Sequence, residues 1–202
     1  MGYKITLSIL LCYTLGSIPV GIILSKKFKR IDIREFGSHN IGATNVFRYS
    51  GKLEGILTGI MDGLKPVLAM AIFKKIDILP PSVIPLLGAS AVCGNLWSIF
   101  LKFKGGRGLA ATIGYFAYLT PKTFIVAFPI AVFIAFITKW NFPVGGLSMY
   151  IVGPIVGAKM FHYSSYIIVT MLYLGLLMLI REVPWMIIHS TNYFKRRNHE
   201  KG

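Results

Sequence analysis

Long apolar stretches separated by short polar segments make up most of this chain. The first stretch, from Ile5 to Leu24, has no charged residue and approaches the ~20 residues that a membrane-spanning helix needs. Because backbone groups in hydrocarbon must be paired within the segment, stretches of this kind are predicted to be helices. Seven candidates follow the pattern: residues 5–25, 53–73, 79–101, 109–121, 123–137, 142–158 and 163–180.

The fourth and fifth stretches are short and meet at Thr120-Pro121-Lys122. We predict a tight hairpin of tilted helices there, with six spans instead of seven as the alternative. The sequence thus predicts an all-α integral membrane protein with seven transmembrane helices and glycine-rich cytoplasmic loops. Residues 1–202 are expected to form a single polytopic membrane domain.

Composition and charge agree with a membrane protein. Hydrophobic residues make up 54% of the chain and charged residues only 14%, against roughly 25% charged in an average soluble domain. With seven spans, most of the 22 Lys and Arg residues fall on one side. The positive-inside rule then predicts a plasma-membrane protein with its N-terminus outside and its C-terminus in the cytoplasm.

The net charge of +15 also raises the question of a nucleic-acid partner. In a protein with several spans, however, membrane topology and attraction to anionic lipid account for such charge. We therefore expect contact with anionic membrane lipid and no nucleic acid, and no catalytic role for the C-terminal cluster Lys195–Arg197.

The first cytoplasmic loop carries small and polar residues that topology alone does not require. Glycines let successive backbone N–H groups turn toward one point, and such nests bind anions. Hydroxyl and amide side chains add donors, and an arginine offers a planar fork suited to phosphate. The predicted phosphate cradle consists of Ser38, Asn40, Gly42, Thr44, Asn45 and Arg48. An ordinary polar connection between helices is the alternative.

A second glycine-rich segment combines Lys104, Gly105, Gly106 and Arg107 just before the fourth stretch. It lacks the spacing of a Walker P-loop. The helix predicted to follow it would add exposed N–H groups and a partial positive charge at its N-terminus. Since both loops are expected to face the cytoplasm, they can converge on one anion site.

Asp62 and Lys65 lie within the second stretch, three residues apart and therefore on one face of a helix. Ionisable groups at membrane depth are costly and are usually paired or functional. A structural ion pair and a substrate-binding role are both open for these two residues.

Several familiar catalytic patterns are absent from the sequence. It has no Gly-x-Ser-x-Gly elbow, none of its histidines has an aspartate five residues later, and no aspartate string is present. Cys12 and Cys93 fall in apolar stretches, where a thiol behaves as a small hydrophobe, so we expect no disulfide, metal or cofactor. No general base is evident, and a reaction whose leaving group is already activated would not demand one.

The motifs of the N-terminal 120 residues resemble those of the bacterial acyl-phosphate:glycerol-3-phosphate acyltransferases, the PlsY family. The matching elements are Gly16-Ser17-Ile18-Pro19, DIREFGS, NIGATNVFR, the pair Asp62 and Lys65, and FKGGRG. The NIGATN and FKGG motifs are specific in this order and spacing.

That resemblance implies a seven-span enzyme that moves a fatty acyl group from acyl phosphate to the 1-hydroxyl of glycerol 3-phosphate, giving lysophosphatidic acid for phospholipid biosynthesis. It implies that Ser38, Arg48 and Lys104 are catalytic. The substrate-binding residues it implies are Asn40, Gly42, Thr44, Asn45, Asp62, Lys65, Gly105, Gly106 and Arg107. Members of the family are thought to let a substrate phosphate take the hydroxyl proton.

The chain departs from the family pattern at several positions. Asn95 stands where the family has histidine, His39 where it has glycine, and Arg107 where it has lysine. The family's two C-terminal motifs, which help to position glycerol phosphate, are altered at residues 138–142 and 181–185. A non-catalytic lipid- or phosphate-binding protein on the same scaffold is therefore a second hypothesis, and a transporter is a third.

Overall fold

The computed structural model describes residues 1–138 and 142–181, which form helices, turns and loops. Lys139, Trp140, Asn141 and residues 182–202 lie outside the described residues, and with them most of the two altered C-terminal motifs and the cluster Lys195–Arg197. The helices are α1 (Gly2–Ser17), α2 (Val20–Lys29), α3 (Ala43–Tyr49), α4 (Lys52–Ile76), α5 (Ile84–Leu96), α6 (Leu109–Leu119), α7 (Pro121–Ile137), α8 (Phe142–Lys159) and α9 (Ser165–Arg181).

The helices agree with the predicted stretches in number and order, apart from the short α3 and a break in the first stretch. Among the residues that the structure describes, three helical segments are long and apolar enough to cross a membrane: Gly2–Lys29, Lys52–Ile76 and Pro81–Leu101. Shorter apolar helices cover Leu109–Leu119, Pro121–Ile137 and Ser165–Arg181. The predicted all-α class is confirmed for the described residues, and the chain breaks at Thr120 between α6 and α7, where the hairpin was expected.

The first apolar stretch is not one continuous helix, as its pattern predicted. α1 ends at Ser17 and α2 begins at Val20, with Pro19 between them. Proline has no backbone N–H and disfavours a helical conformation at the preceding residue, so the helix is interrupted at Ile18. The break frees the Ile18 carbonyl to accept a hydrogen bond from another helix.

Glycines let the central helices approach each other closely. A Cβ atom on Gly16 would lie 2.0 Å from the backbone oxygen of Ala91, and one on Gly94 would lie 2.2 Å from that of Tyr13. These positions bring α1 against α5 with no room for a side chain. Small residues at such crossings are typical of helix packing in membranes.

Helix α4 has an apolar outer face and a polar inner face. Its buried inner face carries Thr58, Asp62, Lys65 and Ala69 at helical spacing. The exposed outer face carries Leu53, Ile56, Ile60, Leu64, Leu68 and Ile72. This inverted amphipathic pattern suits a helix with lipid on one side and protein on the other.

A glycine-to-alanine change tests the close packing of α4 against α6. A Cβ on Gly114 would lie 1.9 Å from the Gly63 carbonyl oxygen, so we expect Gly114→Ala to lower the free energy of unfolding by about 1–3 kcal/mol. The matched control is Gly59→Ala, whose Cβ would meet Ala43 at an ordinary 3.4 Å. Thermal unfolding in detergent measures both variants, and equal behaviour of the two would contradict the packing described here.

Candidate functional site

The first loop is organised around the buried side chain of Asn45. Its Nδ2 donates hydrogen bonds to the carbonyls of Ile33 (3.2 Å), Phe36 (2.9 Å) and Asn40 (2.9 Å). Its Oδ1 accepts from the Ser38 backbone N–H at 3.1 Å. The amide therefore fixes the curve of the backbone before α3, and direct contact of Asn45 with a substrate stays a prediction.

Two residues of this curve have left-handed backbone conformations. Gly37 has φ +57°, and a Cβ there would lie 2.1 Å from the ring of Tyr49. His39 has φ +56°, and its Nδ1 lies 2.8 Å from the Arg34 carbonyl oxygen. The left-handed conformation explains why glycine suits the position of His39, and the ring contact ties the histidine to the loop.

Asp32 fixes the start of the same loop. Its carboxylate accepts hydrogen bonds from the Arg34 side chain at 2.9 and 2.6 Å and from the Arg34 backbone N–H at 3.1 Å, and Lys26 lies 3.3 Å away. The hydrogen bond from the Arg34 side chain is the main cause that holds the pKa of Asp32 below its usual range. The carboxylate thus stays ionised at physiological pH and keeps the two cations nearby.

The structure leaves the residues predicted to be catalytic accessible. Ser38 lies in the turn before α3, Arg48 in the last turn of α3 and Lys104 in the loop before α6, and all three are exposed. Thr44 is exposed in the first turn of α3, while Asn40 and Gly42 are half-buried beside it. The exposed side chains do not pack inside the helical bundle, so a ligand can reach them.

The glycines of the second loop allow its backbone to pack closely against the end of α5, and they do not form an open anion-binding nest. The Gly105 N–H donates to the Leu96 carbonyl at 3.2 Å, and the Gly106 N–H donates to the Asn95 carbonyl at 2.8 Å. A Cβ on Gly105 would lie 2.3 Å from the Asn95 carbonyl oxygen. These two N–H groups are thus engaged by the end of α5, which differs from the anion-facing arrangement that the sequence suggested. Substrate contact by either glycine stays a prediction.

The two loops lie side by side, as the sequence led us to expect. A Cβ on Gly106 would meet the Ile41 side chain at 3.6 Å. Leu101 also packs against a small apolar cluster under the first loop, formed by Ile22, Ile33, Ile41 and Val46. Apolar contacts therefore hold together the segments that carry the polar candidates.

Asp62 and Lys65 form a buried ion pair below the loops. Lys65 Nζ lies 2.6 Å from Asp62 Oδ1, and it also donates to the Ile18 carbonyl at 2.6 Å. The Asn95 side chain also lies close to the Asp62 carboxylate. The prediction that the pair shares one helical face is confirmed, and the structural role is now visible. A role in substrate binding stays a prediction.

Further contacts join the helix break to the end of α5. Ser98 Oγ donates to the Ser17 carbonyl at 2.5 Å, the Ile99 N–H donates to Ser17 Oγ at 3.3 Å, and the Tyr13 hydroxyl donates to the Trp97 carbonyl. These contacts were not predicted from the sequence. Serine and tyrosine in apolar stretches were a signal, because buried hydroxyl groups need partners.

Arg181 at the end of α9 also reaches the site. Its Nη2 donates to the Gly105 carbonyl at 3.2 Å across 76 residues of sequence. From the sequence, this residue was one of the charges that indicate membrane topology and the first position of the altered second C-terminal motif, and no contact with the second loop was predicted for it. Arg107 is half-buried in the same loop, so the predicted loop cation and an unpredicted one both lie near the glycines.

The site has a buried pair of opposite charges below the loops and exposed positive charges on its surface. The buried charges of Asp62 and Lys65 offset each other, while Arg48 and Lys104 are exposed. Over residues 1–138 and 142–181, no cluster of three His, Cys, Asp or Glu side chains could hold a metal ion. The arrangement is suited to binding and stabilising anionic groups such as phosphate.

Comparison with known proteins points to one family. The family model described as glycerol-3-phosphate acyltransferase matches residues 6–192. Proteins named glycerol-3-phosphate acyltransferase from Syntrophotalea carbinolica and Fusobacterium nucleatum are 40% and 36% identical to this chain. The first alignment covers 66% of this chain and 67% of the relative, and the second covers 65% and 68%.

The fold is also similar to a solved structure. The crystal structure of PlsY, an integral membrane glycerol 3-phosphate acyltransferase, in its glycerol 3-phosphate form matches with a TM-score of 0.80 and 26% identity. The match covers 94% of this chain and 93% of that one. Its lysophosphatidic acid form matches with a TM-score of 0.79 over the same shares.

Asn45→Asp tests whether this side chain shapes the first loop. The change replaces the donating amide by a carboxylate that faces three carbonyl oxygens, so we expect faster hydrogen exchange across residues 33–45. Thr44→Ala, an exposed neighbour, is the control and should leave exchange in this segment unchanged. Unaltered exchange in Asn45→Asp would show that the loop does not depend on this amide.

Breaking the buried ion pair from one side should destabilise the protein strongly. Asp62→Asn leaves the Lys65 charge buried without its partner, and we expect a loss of about 3–5 kcal/mol in the free energy of unfolding. The double variant Asp62→Leu/Lys65→Met removes both charges and should recover most of that loss. Unfolding in detergent measures both, and a double variant less stable than Asp62→Asn would refute this interpretation.

Proposed function

The chain belongs to the glycerol-3-phosphate acyltransferase family and is a multi-pass integral membrane enzyme of phospholipid synthesis that produces lysophosphatidic acid; from this premise we propose its donor, its chemistry and its orientation. The proposed donor is acyl phosphate, and the proposed acceptor group is the 1-hydroxyl of glycerol 3-phosphate. The products are then lysophosphatidic acid and inorganic phosphate.

The proposed chemistry needs no activated protein nucleophile. The 1-hydroxyl oxygen attacks the acyl carbonyl carbon, and the bond from that carbon to the phosphate oxygen breaks. The hydroxyl proton passes to a substrate phosphate, and inorganic phosphate leaves with the electron pair of the broken bond. An acyl phosphate is already activated, so binding and orientation of the two substrates supply much of the rate.

The exposed polar residues take specific roles in this scheme. Arg48 and Lys104 bind phosphate and offset the charge that develops on the departing group, while Ser38 donates a hydrogen bond at the reacting centre. The exposed Thr44 and the half-buried Asn40 and Arg107 complete the binding surface. The observation that supports the proposal is the side-by-side packing of the two loops, in which Gly106 lies against Ile41 and Leu101 packs on the cluster under the first loop.

The proposed orientation has seven spans, with the N-terminus outside and the C-terminus in the cytoplasm. The first stretch, α4, α5, α6, α7, α8 and α9 supply the seven, with α6 and α7 as the tilted pair. The glycine-rich loops then face the cytoplasm, where glycerol 3-phosphate is soluble and anionic lipid is abundant. The positive charge of Lys26, Lys27 and Lys29, at the end of α2, supports this direction.

Activity of the purified protein tests the donor and the acceptor together. Palmitoyl phosphate and labelled glycerol 3-phosphate should yield labelled lysophosphatidic acid, whereas labelled glycerol or palmitoyl coenzyme A should yield little product. Arg48→Ala and Lys104→Ala should each lower kcat/KM about 100-fold or more, because each removes a cation that stabilises the transition state.

Lys29→Ala is the control for the loss of a single surface cation, since Lys29 is exposed in the last turn of α2. Its kcat/KM should stay within about twofold of the wild-type value, as for surface substitutions elsewhere. Absence of product in any lipid would contradict the proposal, and phosphate binding without turnover would favour a non-catalytic protein on the same scaffold. Product formed equally from acyl coenzyme A would overturn the proposed donor.

A further inference from the structure

Arg181 holds a backbone group inside the glycine-rich loop that carries Lys104. The guanidinium Nη2 donates to the Gly105 carbonyl at 3.2 Å, and Arg181 itself is half-buried. Its Nε is buried as well, and no hydrogen-bond partner for it lies among the described residues. Arg181 has given up much of its hydration and binds one carbonyl. The position of its guanidinium is therefore more restricted than that of a cation that contacts only lipid headgroups.

The peptide unit between Gly105 and Gly106 is held from two directions. Arg181 binds its carbonyl from the end of α9, and the Asn95 carbonyl accepts its N–H at 2.8 Å from the end of α5. The preceding peptide is held as well, because the Gly105 N–H donates to the Leu96 carbonyl at 3.2 Å. Two adjacent peptide planes are therefore fixed, and all the groups that fix them belong to the ends of α5 and α9.

This clamp bears directly on Lys104. Glycine has the greatest backbone freedom of any residue, so a Gly-Gly pair does not by itself fix the direction of its neighbours. Lys104 immediately precedes the pair, and its side chain is exposed. The two fixed peptides together define the direction in which the chain leaves Lys104 and the region that its ammonium group can reach.

We propose that Arg181 is a positioning residue for acyl transfer, which acts by holding the Gly105–Gly106 peptide and thereby orienting Lys104. This role rests on the proposed function, in which Lys104 binds phosphate. It gives the end of α9 a part in the site, although the altered C-terminal motif, which begins at Arg181, departs from the family pattern. A misplacement of a catalytic group by about 1 Å can cost on the order of 100-fold in rate.

Arg181→Met and Arg181→Lys separate positioning from net charge. Methionine removes the donor, whereas lysine keeps the positive charge and a single donor. We expect Arg181→Met to lower kcat by about 10- to 100-fold with a much smaller change in KM, and Arg181→Lys to restore part of the loss. The control is Lys159→Met, which removes an exposed cation from the last turn of α8 and should leave kcat within about twofold.

A double-variant cycle tests whether Arg181 acts through Lys104. In a Lys104→Gln background, Arg181→Met should cost little further activity, because the group that it orients is already gone. Losses that multiply independently would overturn the proposal, and so would unchanged kcat in Arg181→Met. If Arg181→Met fails to fold in detergent, Arg181→Lys takes its place in the cycle.

Hydrogen exchange provides a readout that does not require activity. The Gly105 and Gly106 amides should exchange faster in Arg181→Met than in the wild-type protein, while those of α1 should not change. Unaltered exchange at both glycines would refute the clamp. An inactive wild-type protein with the expected exchange would instead refute the proposed function and leave the clamp standing, so the two failures can be told apart.

Discussion

The buried ion pair between Asp62 and Lys65 is the interaction on which the rest of the structure depends. Charges among apolar helices are costly unless they are paired and hydrogen-bonded. Lys65 meets this requirement with Asp62 and with the Ile18 carbonyl, which is available because Pro19 interrupts the first stretch. The Asn95 side chain lies close to Asp62, and the Asn95 carbonyl accepts the Gly106 N–H. One polar network thus joins the helix break, α4, α5 and the second loop.

This support explains how a flexible, glycine-rich sequence can form a defined site. The first loop is held by the buried amide of Asn45, and the second by the ends of α5 and α9. The positive charge of the chain then falls into two groups with different surroundings. Lys26 pairs with Asp32 and Lys29 is exposed at the end of α2, whereas Arg48 and Lys104 are exposed on the two supported segments.

The sequence was sufficient to predict the helical class, the position of most helices and the segments that meet at the site, because apolar length and glycine-rich motifs are local signals. It did not predict the break at Pro19, since the stretch is uncharged on both sides of it. It identified Asn95 and residue 181 only as departures from the family pattern, and it did not predict their contacts with the second loop, which arise only in the packed helices. The glycines at 105 and 106 were identified correctly as a motif, but the reason for them is close contact with Asn95 and Leu96, which only the packed helices show.

We propose that this supported pair of loops transfers an acyl group to glycerol 3-phosphate in a living membrane. Complementation of a bacterial strain that lacks its own glycerol-3-phosphate acyltransferase tests this claim most directly, because growth requires both the correct acceptor and turnover. We expect the wild-type chain to restore growth and Lys104→Ala, present in the membrane at the same level, not to restore it. Failure of the wild-type chain to restore growth at a normal membrane level, or equal rescue by Lys104→Ala, would contradict it.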